Sequence, residues 1–148
     1  MSNTETVQAF MQALEARDFA AASSYLANDF IFSGSTPKPL NKGQFMVLLK
    51  ELKDGIPDLA FHLQDVHQRD KTVTATIQIT CMQAETFLLA PLGMPPVPQM
   101  GRSISLPEEH VVYAFQEGQI VMMDVEQVPG GGIPGILQQL GINLPIVQ

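Results

Sequence analysis

The order of hydropathy patterns predicts an α+β fold, with three N-terminal helices packed on one face of a curved, mostly antiparallel sheet. Two observations carry this. Apolar residues recur at helical spacing mainly in the first 55 residues, and period-two alternation dominates from Leu59 onward. A third narrows it: the 148 residues are 45% hydrophobic and only 16% charged, with no internal repeat. A chain of this length can bury a full core without a metal or disulfide staple. One domain is expected to span residues 1–148.

The elements follow in order. Ser2 and Glu5 have capping-box spacing, and Val7, Phe10, Met11 and Leu14 form the stripe of the first helix. Asp18 caps a second helix carrying Phe19, Ala22 and Leu26. Phe30-Ile31-Phe32 reads as a strand. Asn41 and Gln44 repeat the capping box before Phe45, Leu48, Leu49 and Leu52, and Gly55 with Pro57 stops that third helix.

Leu59, Phe61 and Leu63 then alternate with polar residues. Val73, Ala75, Ile77, Ile79 and Cys81 alternate with threonines and Gln78 in the clearest strand of the chain. The turn between them falls near Arg69-Asp70-Lys71. Residues 91–98 hold four prolines and read as a stiff apolar loop. Strand signals resume from Ile104 to Phe115. Gln116-Glu117-Gly118 has the length of a three-residue hairpin loop, followed by a strand from Gln119 to Val128. Ile136, Leu137 and Leu140 fit a short helix ended by Gly141.

Charge excludes some functions. The net charge is −7, which disfavours sequence-independent binding to nucleic acid phosphates. After Lys71 the only basic side chain is Arg102, against six acidic ones. A stretch so poor in cations belongs in a buried sheet, a subunit interface or an apolar pocket. The single cysteine, Cys81, allows no intrachain disulfide. No run of 18 apolar residues suggests a membrane span, and no signal peptide is read at the N-terminus, so a soluble cytoplasmic protein is expected.

Several stretches together resemble a known family. They are Phe10 to Asp18 with Tyr25 to Phe30, Ile56 to Leu59, Leu92-Gly-Met-Pro-Pro96 with Gly101-Arg102, Phe115 to Ile120, and Leu137 to Gly141. In this order they resemble the NTF2-like superfamily, and within it the SnoaL-like polyketide cyclases. The resemblance implies a cone-shaped fold, usually dimeric, with a pocket for apolar small molecules. It also implies acid–base chemistry by a histidine and an aspartate on the last two strands. No cofactor and no metal are expected.

His110 and Asp124 are the candidates for that pair. A loop at Gln116–Gly118 sets them opposite each other, where a carboxylate could orient the imidazole or move a proton. Aligning Gly118 with the family's hairpin glycine gives a second register. The family's catalytic positions then fall on Val111 and Val125, and Val111, Tyr113, Phe115, Val121, Met123 and Val125 form an apolar pocket wall. Continuing the inward parity from Cys81 reaches Gln83 and Glu85, where the family carries His-x-Gly. A pocket-facing Glu85 would suit a general acid or base.

Expected catalytic residues are therefore Asp124, His110 and Glu85. Expected ligand contacts are Gln83, Tyr113, Phe115, Met123 and Arg102, the last able instead to pair with Glu85 or Glu108. The aspartate and tyrosine of the ketosteroid-isomerase branch match Gly34 and Phe10 here, which cannot perform that chemistry. Gly130, Gly132 and Gly135 spell GxGxxG without a βαβ unit and read as a flexible loop. Cys81 reads as a core thiol. Three functions stay open: a cyclase or isomerase, a binding module for an apolar ligand, and a structural homodimer.

Overall fold

The computed structural model describes residues 1–36, 38–82, 91 and 103–139. Helix α1 spans Asn3–Glu15, and its N-cap Ser2 forms a reciprocal capping box with Glu5. Helix α2, Phe19–Ser24, is capped by Asp18, which accepts from the Ala21 N–H. Strand β1 runs from Leu26 to Ser33. A short β2, Leu40–Asn41, leads into α3, Lys42–Gly55, whose capping box joins Asn41 and Gln44.

The strands are shorter and more broken than the hydropathy alternation predicts. β3 is Gln64–Arg69 and β4 is Thr72–Ile77. Leu59 to Leu63 do not form a strand: one isolated bridge joins Ala60 to Thr80. The positive φ of His62, 48°, breaks the extended run, and that of Asp65, 53°, falls where the β3–β4 register shifts between Gln64 and His67. The expected long strand through Cys81 also divides. Thr80–Met82 is a separate β5, which pairs with β6, Ser103–Ser105, in a two-stranded sheet. The inward parity nevertheless survives the break, and Val73, Ala75, Ile77, Ile79 and Cys81 are all buried.

β7, Glu109–Gln116, and β8, Gln119–Val125, complete a six-stranded sheet of order β2-β1-β8-β7-β4-β3. β1 and β8 run parallel, and the other neighbours are antiparallel. The final helix, α4, is Gly132–Gln139. It starts earlier than predicted and includes two of the GxGxxG glycines.

Helices α1 and α3 cover the inner face of the sheet. Phe45 of α3 is the hub. Its ring lies 4.9 Å from Phe32, 5.3 Å from Phe30 and 6.3 Å from Phe10, centroid to centroid. Aromatic pairs of this kind add about 0.5–1.5 kcal/mol each beyond burial. One buried cation ties the end of α3 to the chain that follows. Lys53 is 1% exposed and donates to the carbonyls of Pro57 and Leu59. Desolvation lowers its pKa.

Candidate functional site

The register of the β7–β8 hairpin decides which side chains face inward. The turn is Glu117-Gly118, both at positive φ (53° and 78°), and Gln116 pairs with Gln119. It is thus a two-residue turn of the primed type that suits twisted hairpins, not the three-residue loop expected. The next pair is Phe115 with Ile120, then Ala114 with Met122, leaving Val121 as a bulge. The bulge flips the parity of β8. Ile120 points inward before it, and Met123 and Val125 point inward after it.

His110 and Asp124 are therefore not cross-strand partners. Asp124 stands opposite Val112, and the His110 carbonyl accepts from the Glu126 N–H. Both side chains lie on the outer face of the sheet. His110 is exposed, and its Nδ1 lies 3.4 Å from the Thr76 hydroxyl. Asp124 accepts a 2.7 Å hydrogen bond from Ser33. The second register, with Val111 opposite Val125, is the one formed, except that the bulge removes Val121 from the inner face.

The other expected contacts divide. Met123 lines the internal cavity described next. Tyr113 and Phe115 are buried on the same face but do not line it. The Tyr113 hydroxyl has no hydrogen-bond partner among the described residues, and burial raises its pKa. Gln83, Glu85 and Arg102 lie outside the described residues.

Between α1, α3 and the inner sheet face is a cavity of about 50 Å³. Its walls include Met11 and Leu14 of α1, Phe45 and Leu52 of α3, Ile77 of β4 and Val125 of β8. Among the described lining residues only Ser35 and Glu109 are polar. Glu109 was not among the candidates read from the sequence. It begins β7 on the inward parity of Val111 and Tyr113, so the signal was present. Pro107 hid it, because the visible alternation stops there.

Glu109 is 1% exposed, and its Oε1 has no hydrogen-bond partner among the described residues. Desolvation raises its pKa above the usual carboxylate value, partly offset by the Gly132 N–H. A carboxyl in an apolar enclosure holds its proton longer than one in water. In its neutral form it can donate to a carbonyl oxygen, and in its charged form it can accept a proton from carbon.

A second, larger groove of about 350 Å³ adjoins this point. It is lined by Gly34, residues 127–132, Pro134, Gly135 and Gln138, and again by Ser35 and Glu109. Gly132 and Gly135 lie in α4 and not in the loop expected, while Gly130 lies in the turn before it. A Cβ on Gly132 would lie 2.5 Å from the Ser35 Oγ, and one on Gly135 would lie 2.2 Å from the Gly130 carbonyl oxygen. They let the start of α4 pack directly on the Ser35–Glu109 corner.

Cys81 is buried, with its thiol pKa pushed up to about 12, chiefly by desolvation. Among the described residues no cluster of three or more metal-ligating side chains occurs. No described helix is long and apolar enough to cross a membrane.

Comparison with known proteins gives a family and a fold. The family model of the SnoaL-like domain matches residues 7–123. No protein of curated function matches. A SnoaL-like polyketide cyclase from Agrobacterium tumefaciens str. C58 superposes with a TM-score of 0.65 at 18% identity, over 84% of this chain and 90% of that one. An LEH-like epoxide hydrolase from M. tuberculosis gives 0.68 at 13% identity, over 94% and 92%. An NTF2-like protein of unknown function from Cytophaga hutchinsonii ATCC 33406 gives 0.60 at 16% identity, over 87% and 92%. At these identities the likeness is one of fold, and that fold is NTF2-like.

Proposed function

The chain belongs to the SnoaL-like domain family, and from that premise we propose that it binds an apolar small molecule between its helices and sheet and acts on it by acid–base chemistry at Glu109. One observation carries this reading. Among the described residues the cavity holds a single carboxyl, buried and with one oxygen unpartnered, within walls that are otherwise hydrocarbon, thioether and Ser35. Sites of that composition are the usual setting for a carboxyl tuned toward neutral pH.

The chemistry that fits is enolisation. Charged Glu109 removes a proton from the carbon beside a carbonyl, which leaves an enolate and a neutral carboxyl. In an isomerisation the carboxyl returns the proton to a different carbon. In an aldol-type ring closure the enolate carbon attacks a second carbonyl carbon, a C–C bond forms, and the resulting alkoxide takes the proton from Glu109. Either sequence restores the carboxylate and neither changes the composition of the substrate. The Ser35 hydroxyl, at the same corner, is a hydrogen-bond donor for the enolate oxygen.

The test is deuterium uptake from heavy water into the α-carbon of an apolar cyclic ketone, followed by NMR. Glu109→Gln should lower the protein-catalysed rate by about 10²-fold or more, the usual scale of a general base. The wild-type rate should rise with pH through an apparent pKa above the ordinary carboxylate value. Equal rates in Glu109→Gln and wild type would remove Glu109 from the chemistry.

A second reading, a structural module of the same fold whose cavity is largely filled by its own side chains, draws support from the size of the cavity. A volume of about 50 Å³ has room for only a few water-sized groups. No binding of a short apolar ligand and no exchange would favour it.

A further inference from the structure

The groove outside the cavity is larger than the cavity itself, about 350 Å³ against 50 Å³, and the two share Ser35 and Glu109. We infer that the groove is a second compartment of the same site, binding the uncharged, hydrogen-bonding end of a ligand whose apolar part enters the cavity. The inference rests on the cavity being a ligand site, and adds where the rest of the ligand lies and what chemistry that part has.

The construction of the groove supports this. Glycine is required where its wall meets the corner. A Cβ on Gly131 would stand 2.6 Å from Val128 and 3.1 Å from the Glu109 carboxyl carbon. A Cβ on Gly34 would stand 1.9 Å from the Val125 carbonyl oxygen. Side chains at these positions would push the backbone away from Ser35 and Glu109. Bare glycine backbone instead brings peptide C=O groups beside the corner, whose second lone pairs can accept from a ligand, while the N–H groups of Gly131 and Gly135 already donate to the Val128 and Gly131 carbonyls and that of Gly132 to Glu109.

A glycine run can also serve packing alone. What separates the two explanations is Glu109. A carboxyl that is 1% exposed with an unpartnered Oε1 is costly in a purely structural corner. A ligand that donates to it removes that cost.

The lining also sets the charge of the ligand. Besides Glu109, the described groove side chains with polar ends are Gln127 and Gln138, both neutral amides, and Ser35. No lysine, arginine or histidine lines either compartment among the described residues. An anionic end would face Glu109 with no cation among the described lining residues to offset it. A cationic end would have to lose its hydration beside a buried carboxyl, and such pairs gain little after desolvation. An amide or hydroxyl avoids both costs and can both donate and accept.

The experiment uses three ligands of one chain length short enough for the cavity, butanamide, butanoate and butylammonium, with acetamide as the control that lacks the chain. Affinities are measured at pH 7.5 by NMR titration on the wild-type chain and on Gln138→Trp, a change at an exposed groove position. Butanamide should bind more tightly than acetamide. Butanoate and butylammonium should each bind about tenfold more weakly than butanamide, or worse. Gln138→Trp should weaken butanamide by about tenfold with the melting temperature unchanged. Amide NMR resonances of Gly130 and Gly131 should shift with butanamide in the wild type, which reads the groove without any variant.

The failures are distinct. If butanamide binds no better than acetamide, the apolar cavity is not a ligand site, and both the proposed function and this inference fall. If butanamide binds by its chain but butanoate or butylammonium matches it, the cavity stands and the uncharged compartment is overturned. Unshifted glycine resonances on saturation with butanamide overturn it equally.

Discussion

Ser33 donates a 2.7 Å hydrogen bond to the Asp124 carboxylate across the parallel β1–β8 pair. That bond lies on the outer face of the sheet, away from the cavity. Removing it should cost stability and leave chemistry alone. Ser33→Ala and Asp124→Asn are each expected to lower unfolding free energy by about 1 kcal/mol in urea titrations. Ketone exchange should stay within about twofold of wild type for both, well below the loss that removal of a general base brings. A hundredfold loss in Asp124→Asn alone would return Asp124 to the reacting site.

Glu109 should make stability depend on pH in the direction opposite to a salt-bridged carboxylate. Burial raises its folded pKa above the unfolded value. Between those two values the native state holds more protons than the unfolded chain, so stability falls as pH rises. The contribution is fully present below the ordinary carboxylate pKa and is lost as pH rises through the raised one. Glu109→Gln should therefore gain about 1 kcal/mol over wild type at pH 8 relative to pH 4. Denaturant titrations at the two pH values check it, and a difference that shrinks with pH would contradict the buried carboxyl.

Two glycines at positive φ separate strain from collision. Gly118 (φ 78°) has nothing within 4 Å of an added Cβ, whereas Gly34 (φ 98°) would place one 1.9 Å from the Val125 oxygen. Gly118→Ala is expected to cost about 1 kcal/mol, the price of the backbone conformation. Gly34→Ala should cost about 3 kcal/mol or more, because β1 must also separate from β8. Equal costs in thermal melts would mean that the contact at Gly34 is easily relieved.

Cys81 should be inert in the folded protein. Its thiol is 7% exposed and its pKa stands near 12, so almost no thiolate forms at pH 8. A chromogenic disulfide reagent should label it only at the rate of unfolding, and fully in urea. Rapid labelling without denaturant would show that the β5 region opens locally.

Much of the site's frame is legible in the sequence because it is local. Ser2 with Glu5, and Asn41 with Gln44, bond within one turn, so their spacing alone fixes two helix starts. The inward parity from Val73 to Cys81 is also local and survives even where the strand divides. Glu109 was legible in principle, two positions before Val111. Pro107 interrupts the alternation ahead of it, so its face could be known only from the pairing of β7 with β4, where it stands opposite Ile77.

By itself, then, the sequence determined the α+β order, the helix caps, the NTF2-like resemblance and the apolar character of the cation-poor second half. Tertiary structure decided the register. A two-residue turn at Glu117-Gly118 and one extra residue at Val121 put Val112, not His110, opposite Asp124. A strand's alternation says which residues share a face, but a single bulge exchanges the faces beyond it, and its position depends on contacts between strands. The same holds for the corner of Ser35, Glu109 and Gly132. Those residues are far apart in the chain and meet only because α4 folds back onto the ends of β1 and β7.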